Sequence, residues 1–134
     1  MARLTRRQLL IAVAAVSGSL LLPGVARAEW KLLGARKVDR KGERDEIVVT
    51  AARGGFKRVR LTVAGAAVEF ADVHIIYGNG EPDKLEVRQR IPAGGETRAI
   101  DLRGGDRVIR KIVFWYKTEG FGRKRATVTA WGWD

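Results

Sequence analysis

Apolar and polar residues alternate with a period of two along much of this chain. Over residues 57–63, Val59, Leu61 and Val63 fall on one side, while Arg58, Arg60 and Thr62 fall on the other. That is the pattern of a strand with one buried face. Leu85 and Val87 likewise oppose Glu86 and Arg88, and Ala126, Val128 and Ala130 oppose Thr127, Thr129 and Trp131. Between 67 and 77 the phase changes: Val68 and Phe70 are even, whereas Val73, Ile75 and Tyr77 are odd. One extra residue exchanges the two faces of a strand, which predicts a bulge or corner near Ala71-Asp72. In 107–117, Val108, Ile112, Phe114 and Tyr116 make the better core stripe, with Arg110 interrupting it. The odd positions are also apolar from Ile112 to Trp115, as in a central strand covered on both sides.

Turn signals separate these runs at short intervals, among them Asn79-Gly80, Gly94-Gly95 and Gly104-Gly105. The reading gives strands at 30–38, 45–50, 57–63, 67–77 (broken), 84–91, 97–102, 107–117 and 124–132, with no helix after residue 28. About eight short strands at this spacing predict an all-β fold: a single antiparallel β-sandwich, jelly-roll-like.

Residues 1–28 do not share the pattern. Arg3, Arg6 and Arg7 precede an apolar run from Leu9 to Leu22, followed by Pro23 and the small-residue site Ala26-Arg27-Ala28. This is the plan of a signal peptide with cleavage before Glu29, leaving a domain of 29–134. The run is too short to span a membrane, which takes about 20 apolar residues. Thr5-Arg6-Arg7-Gln8-Leu9 resembles a twin-arginine export motif. A periplasmic or secreted location follows, with no membrane span in the mature form. The whole chain carries 26 basic and 15 acidic residues, a net charge of +11. Cleavage removes Arg3, Arg6, Arg7 and Arg27 and no acid, so 22 basic residues face 15 acidic ones, a net charge of +7.

Absences narrow the chemistry. After residue 28 there is no Ser, Cys or Met, one Asn (Asn79) and one His (His74). Serine and cysteine nucleophiles are excluded, and a zinc site, which takes three or four His, Cys or carboxylate ligands, is not expected. Asp72 and His74 share a face and could pair a base with its orienter, yet a surface pair at a corner is the plainer reading. Glu69 with Asp72, or Glu81 with Asp83, have no spacing that marks glycosidase carboxylates. Asn79, Glu81 and Asp83 alternate as calcium ligands do, but the closing Glu is missing and Asn-Gly is a hairpin turn in its own right. The expectation is a non-enzymatic protein without cofactor or metal.

Two binding readings remain beside a merely solvated surface. Arg58 and Arg60 share a face, as do Arg88 and Arg90. If their strands neighbour 107–117, these four join Arg110 and Lys111 in one basic face for an anionic envelope polymer or lipid, or a protein partner. No specific nucleic-acid contact is expected. Alternatively Trp131 and Trp133, of equal parity, stack a sugar as in a carbohydrate-binding module.

The stretches EWKLLGARKV, VEFADVHIIYGNGEPDKLEVRQRIPAGGETRAIDLRGGDRVIRKIVFWY and ATVTAWG resemble a family of small exported bacterial proteins of unassigned function. The most specific parts are Asn79-Gly80, Gly94-Gly95, Ile100-Asp101-Leu102 and the pattern Arg107-x-Ile109-x-x-Ile112-x-Phe114-x-Tyr116. The resemblance implies a periplasmic β-sandwich and no catalytic residues.

Overall fold

The computed structural model describes residues 29–39, 42–50, 54–118 and 125–134. The signal peptide reading (1–28) lies outside them. The described residues form ten strands: β1 (Trp30–Lys37), β2 (Arg44–Val48), β3 (Gly55–Phe56), β4 (Arg58–Ala64), β5 (Val68–Tyr77), β6 (Pro82–Leu85), β7 (Gln89–Ile91), β8 (Ile100–Asp101), β9 (Arg107–Thr118) and β10 (Thr127–Trp133). No helix occurs among the described residues. Two antiparallel sheets result, one ordered β1-β10-β4-β8 and one ordered β2-β9-β5-β6, with β3 pairing β9 and β7 pairing β5.

The pairing is nested: β1 with β10, β2 with β9, β4 with β8 and β5 with β6. The outermost pair lies in one sheet and the next pair in the other, as when a long hairpin is rolled on itself. That is the jelly-roll architecture. The expected strand 84–91 is divided into β6 and β7 because Glu86 to Arg88 leave the ladder, and the expected 97–102 is the shorter β8.

The core lies between the sheets. Leu33, Val59, Leu61, Val63, Val128 and Ala130 fill it from one side, and Ile47, Phe70, Val73, Ile75, Ile112 and Phe114 from the other, all buried. The predicted phase change in β5 is a bulge: Phe70 pairs Tyr116 and Asp72 pairs Trp115, leaving Ala71 as the extra residue. A second bulge corrects the reading of β9. Ile76 pairs Lys111 and Tyr77 pairs Ile109, so Arg110 is extra. The faces exchange there: Ile109 is buried, while Val108, expected in the core stripe, is 56% exposed. Beyond the bulge Ile112, Phe114 and Tyr116 face the core as expected, and Val113, on the outer side, is buried too because β2 and β5 flank it.

Candidate functional site

The outer face of the four-stranded sheet is built by parity and register. In β4 the core takes Val59, Leu61 and Val63, which turns Arg58, Arg60 and Thr62 outward. In β10 the core takes Val128, Ala130 and Gly132, which turns Thr129, Trp131 and Trp133 outward. Antiparallel pairing then sets Trp30, Trp133 and Arg58 in one row across β1, β10 and β4, and Leu32, Trp131 and Arg60 in the next. Asp101 of β8 extends the first row beside Arg58.

Side-chain contacts tie the rows together. The Trp30 and Trp133 rings lie 5.3 Å apart, tilted by 59°. Arg60 reaches across β10 and lays its guanidinium carbon 4.4 Å from the centre of the Trp30 ring, a cation–π contact. Trp131 Nε1 donates to Thr62 Oγ1 at 3.0 Å, which fixes the indole against its neighbour strand. The three tryptophans are half-buried and Leu32 is 43% exposed.

Carboxylates line the far side of β4. Arg58 Nε lies 2.9 Å from Asp101 Oδ1, and Arg60 Nη1 lies 3.4 Å from Glu96 Oε2. Glu96 arrives on a strap. The Gly94 N–H donates to the Val63 carbonyl and the Thr97 N–H to the Leu61 carbonyl, both at 2.8 Å. The buried Thr97 hydroxyl accepts the Leu61 N–H at 3.0 Å and donates to the Arg98 carbonyl. Residues 94–97 thus continue the sheet edge where β8 ends.

The six residues expected to make one basic face are divided. Arg58 and Arg60 occupy the face just described. Lys111 lies on the outer face of the other sheet, 3.2 Å from Glu46, which Arg44 also holds at 2.9 Å. These two cations keep the Glu46 carboxyl below its ordinary range, Arg44 contributing more. Arg110 is the exposed bulge residue. Arg88 is exposed between β6 and β7, and Arg90 stands opposite Glu69. The physical reason is the nesting: β4 and β9 belong to opposite sheets. Trp131 and Trp133 do share a face, as their parity implies. Trp30 and Leu32 join them, which parity in 30–33 alone could not reveal, because it depends on pairing with a strand 100 residues away.

Other candidates are engaged elsewhere. His74 packs its ring 4.8 Å from Trp115, and Asp72 pairs with Lys84 at 3.2 Å. In the 78–83 turn, Asn79 and Glu81 bond each other, Glu81 lies 3.6 Å from Arg107, and Asp83 accepts the Tyr77 hydroxyl at 2.5 Å. Their oxygens therefore do not converge on a common point, and no metal-binding group of three or more His or acidic residues occurs among the described residues. A hollow of about 560 Å³ beside Trp115 brings Glu43 and Lys117 to its rim, without a histidine. No helix among the described residues is long and apolar enough to cross a membrane.

Comparison with known proteins places these features in context. The sequence model of a family described as a domain of unknown function (DUF2541) matches residues 9–132. No curated protein matches the chain. One similar solved structure is that of Pseudomonas aeruginosa AlgX, at 20% identity and a TM-score of 0.49. That likeness covers 75% of this chain and 26% of the other, so the chain spans about a quarter of the length of AlgX.

Proposed function

The chain belongs to the DUF2541 family, of unassigned function, and from that premise we propose a non-enzymatic binding protein of the bacterial envelope. Its ligand is an acidic polysaccharide, held on the outer face of the four-stranded sheet. The observation that carries this reading is the juxtaposition of Trp30, Trp131 and Trp133 with Arg58 and Arg60 on one sheet face. Half-buried indoles offer flat apolar area to the faces of sugar rings, and the polar edge of Trp131 is held by Thr62. The arginines supply planar, permanently charged donors that match carboxylates. Neither element alone is specific. Together they describe a ligand that is both ring-built and anionic.

The chemical inventory supports binding over turnover. The sequence after residue 28 has no serine or cysteine nucleophile, its single histidine, His74, lies on β5 of the other sheet, and the carboxylates beside this face, Asp101 and Glu96, are paired with arginines. The leader pattern in 1–28 supports export. On immobilised polygalacturonate, the purified protein is expected to be retained at low salt and released at moderate salt. Charge reversal by Arg58→Glu with Arg60→Glu should reduce affinity more than tenfold, since two attractions become two repulsions. Retention that is unchanged in the double variant, with its melting temperature intact, would remove this surface as the site.

A further inference from the structure

We propose that Asp101 and Glu96 are internal counter-carboxylates: they occupy Arg58 and Arg60 in the free protein and are displaced by the carboxylates of a polyuronate when it docks. The inference rests on the reading of the tryptophan–arginine face as glycan-binding. It adds to that reading the type of acid in the ligand and a brake on affinity.

The arginines are already posed on carboxylates, which shows what chemistry fits them. Arg58 lies 2.9 Å from Asp101 through Nε, and Arg60 lies 3.4 Å from Glu96 through Nη1. Both pairs are open to exchange. The Asp101 side chain is 82% exposed and that of Glu96 is about half exposed. Ion pairs of this exposure hold weakly, so a ligand carboxylate can replace them at little cost. Arg60 has a further reason to exchange. Among the described residues its carboxylate contact, Nη1 to Glu96 at 3.4 Å, is long for a charged pair and uses one of its two terminal nitrogens. A carboxylate that engages Arg60 through two nitrogens satisfies more of its donors than Glu96 does.

The placement also suits a chain-like ligand. Arg58 and Arg60 stand two residues apart on one strand, about 7 Å, with the three indoles on the side of β4 away from the acids. A polyuronate whose rings rest on Trp131 and Trp133 brings its carboxylates to the positions of Asp101 and Glu96. The two acids therefore set affinity: each must be released before its arginine engages the ligand. Removing one carboxylate should tighten binding.

The test uses full-length protein with polygalacturonate as the probe, read by tryptophan emission. Asp101→Asn and Glu96→Gln should each lower the half-saturating concentration about two- to fivefold, the range an exposed ion pair supports. Glu46→Gln is the control. It removes an acid that is likewise paired with cations, but on the opposite outer face, and should leave the half-saturating concentration unchanged. Dextran (the neutral arm) should give no response, and phosphatidylglycerol vesicles (the lipid arm) should respond no more strongly to the two variants than to the parent. Equal gains in all three variants would reduce the effect to net charge and overturn the inference. Binding that is intact but unimproved in Asp101→Asn and Glu96→Gln would also overturn it, while leaving the glycan face standing. Absence of any response to polygalacturonate would overturn both, as would tightening seen with vesicles alone.

Discussion

The hydroxyl groups of Tyr77 and Tyr116 each meet a carboxylate: Asp83 at 2.5 Å and Asp45 at 2.7 Å. Burial pushes both phenols up, helped by the hydrogen bond to the acid, and Tyr77 rises to about 12. Arg107 covers the Tyr77 ring at 3.8 Å, and the Arg103 N–H and guanidinium approach Asp83 at 3.3 and 3.6 Å. This lock joins the 78–83 turn to the 103–107 turn. Its pH dependence has a definite sign. An unfolded tyrosine ionises near pH 10, so between 10 and about 12 the folded chain keeps a proton that the unfolded chain loses. Stability from Tyr77 is complete below pH 10 and falls as pH rises through that window. Tyr77→Phe strips the buried Asp83 of its hydroxyl donor. It should cost about 1–3 kcal/mol at neutral pH and reduce the loss of stability between pH 10 and 12, leaving the share that Tyr116 contributes, as measured by denaturant titrations across that range. The turn around Asp83 was legible from Asn79-Gly80, where Gly80 takes a φ of +90°. The pairing of Asp83 with Arg103 was not, because Arg103 stands twenty residues further along.

Strands carry the next level of information, and their irregularities decide which residues face outward. The slip at Ala71 was legible because two clean phases flank it in one segment. The slip at Arg110 was only half legible. Arg110 visibly breaks the even stripe, but Val108 and Ile109 are both apolar, and pairing with β5 alone decides which is buried. Strand β10 shows a different constraint. It is the second strand of its sheet, and its core side is narrow: Val128, Ala130 and Gly132, preceded by the buried Ala126. A Cβ on Gly132 would come within 2.6–3.0 Å of three carbons of the Phe56 ring, which is itself fully buried. Phe56 thus sits directly over the segment that turns Trp131 and Trp133 outward. Gly132→Ala should destabilise the fold by about 1–3 kcal/mol through overpacking, read as a lower denaturant midpoint. A neutral result would mean that Phe56 moves freely, and that the indoles are not held in place from below.

The whole molecule divides its charge by nesting its strand pairs. Local pattern predicts that the chain is a sandwich, and it predicts each strand's inner and outer side. It does not say which strands share a sheet, because that is settled by contacts between distant segments. So the basic face expected of six residues becomes two surfaces. One, on the six-stranded sheet, is an ion-paired mosaic in which Glu46 joins Arg44 and Lys111. The other gathers three of the four tryptophans with two arginines. The binding account depends on that second surface, and tryptophan fluorescence reports directly from it. Titration of the protein with polygalacturonate at low salt should give a saturable change in emission. The half-saturating concentration should rise as salt shortens the screening length from about 10 Å at 0.1 M toward about 3 Å at 1 M. The response should be largely lost in Trp131→Ala. A signal that is absent at low salt, or one that persists undiminished in Trp131→Ala and at high salt, would contradict the account.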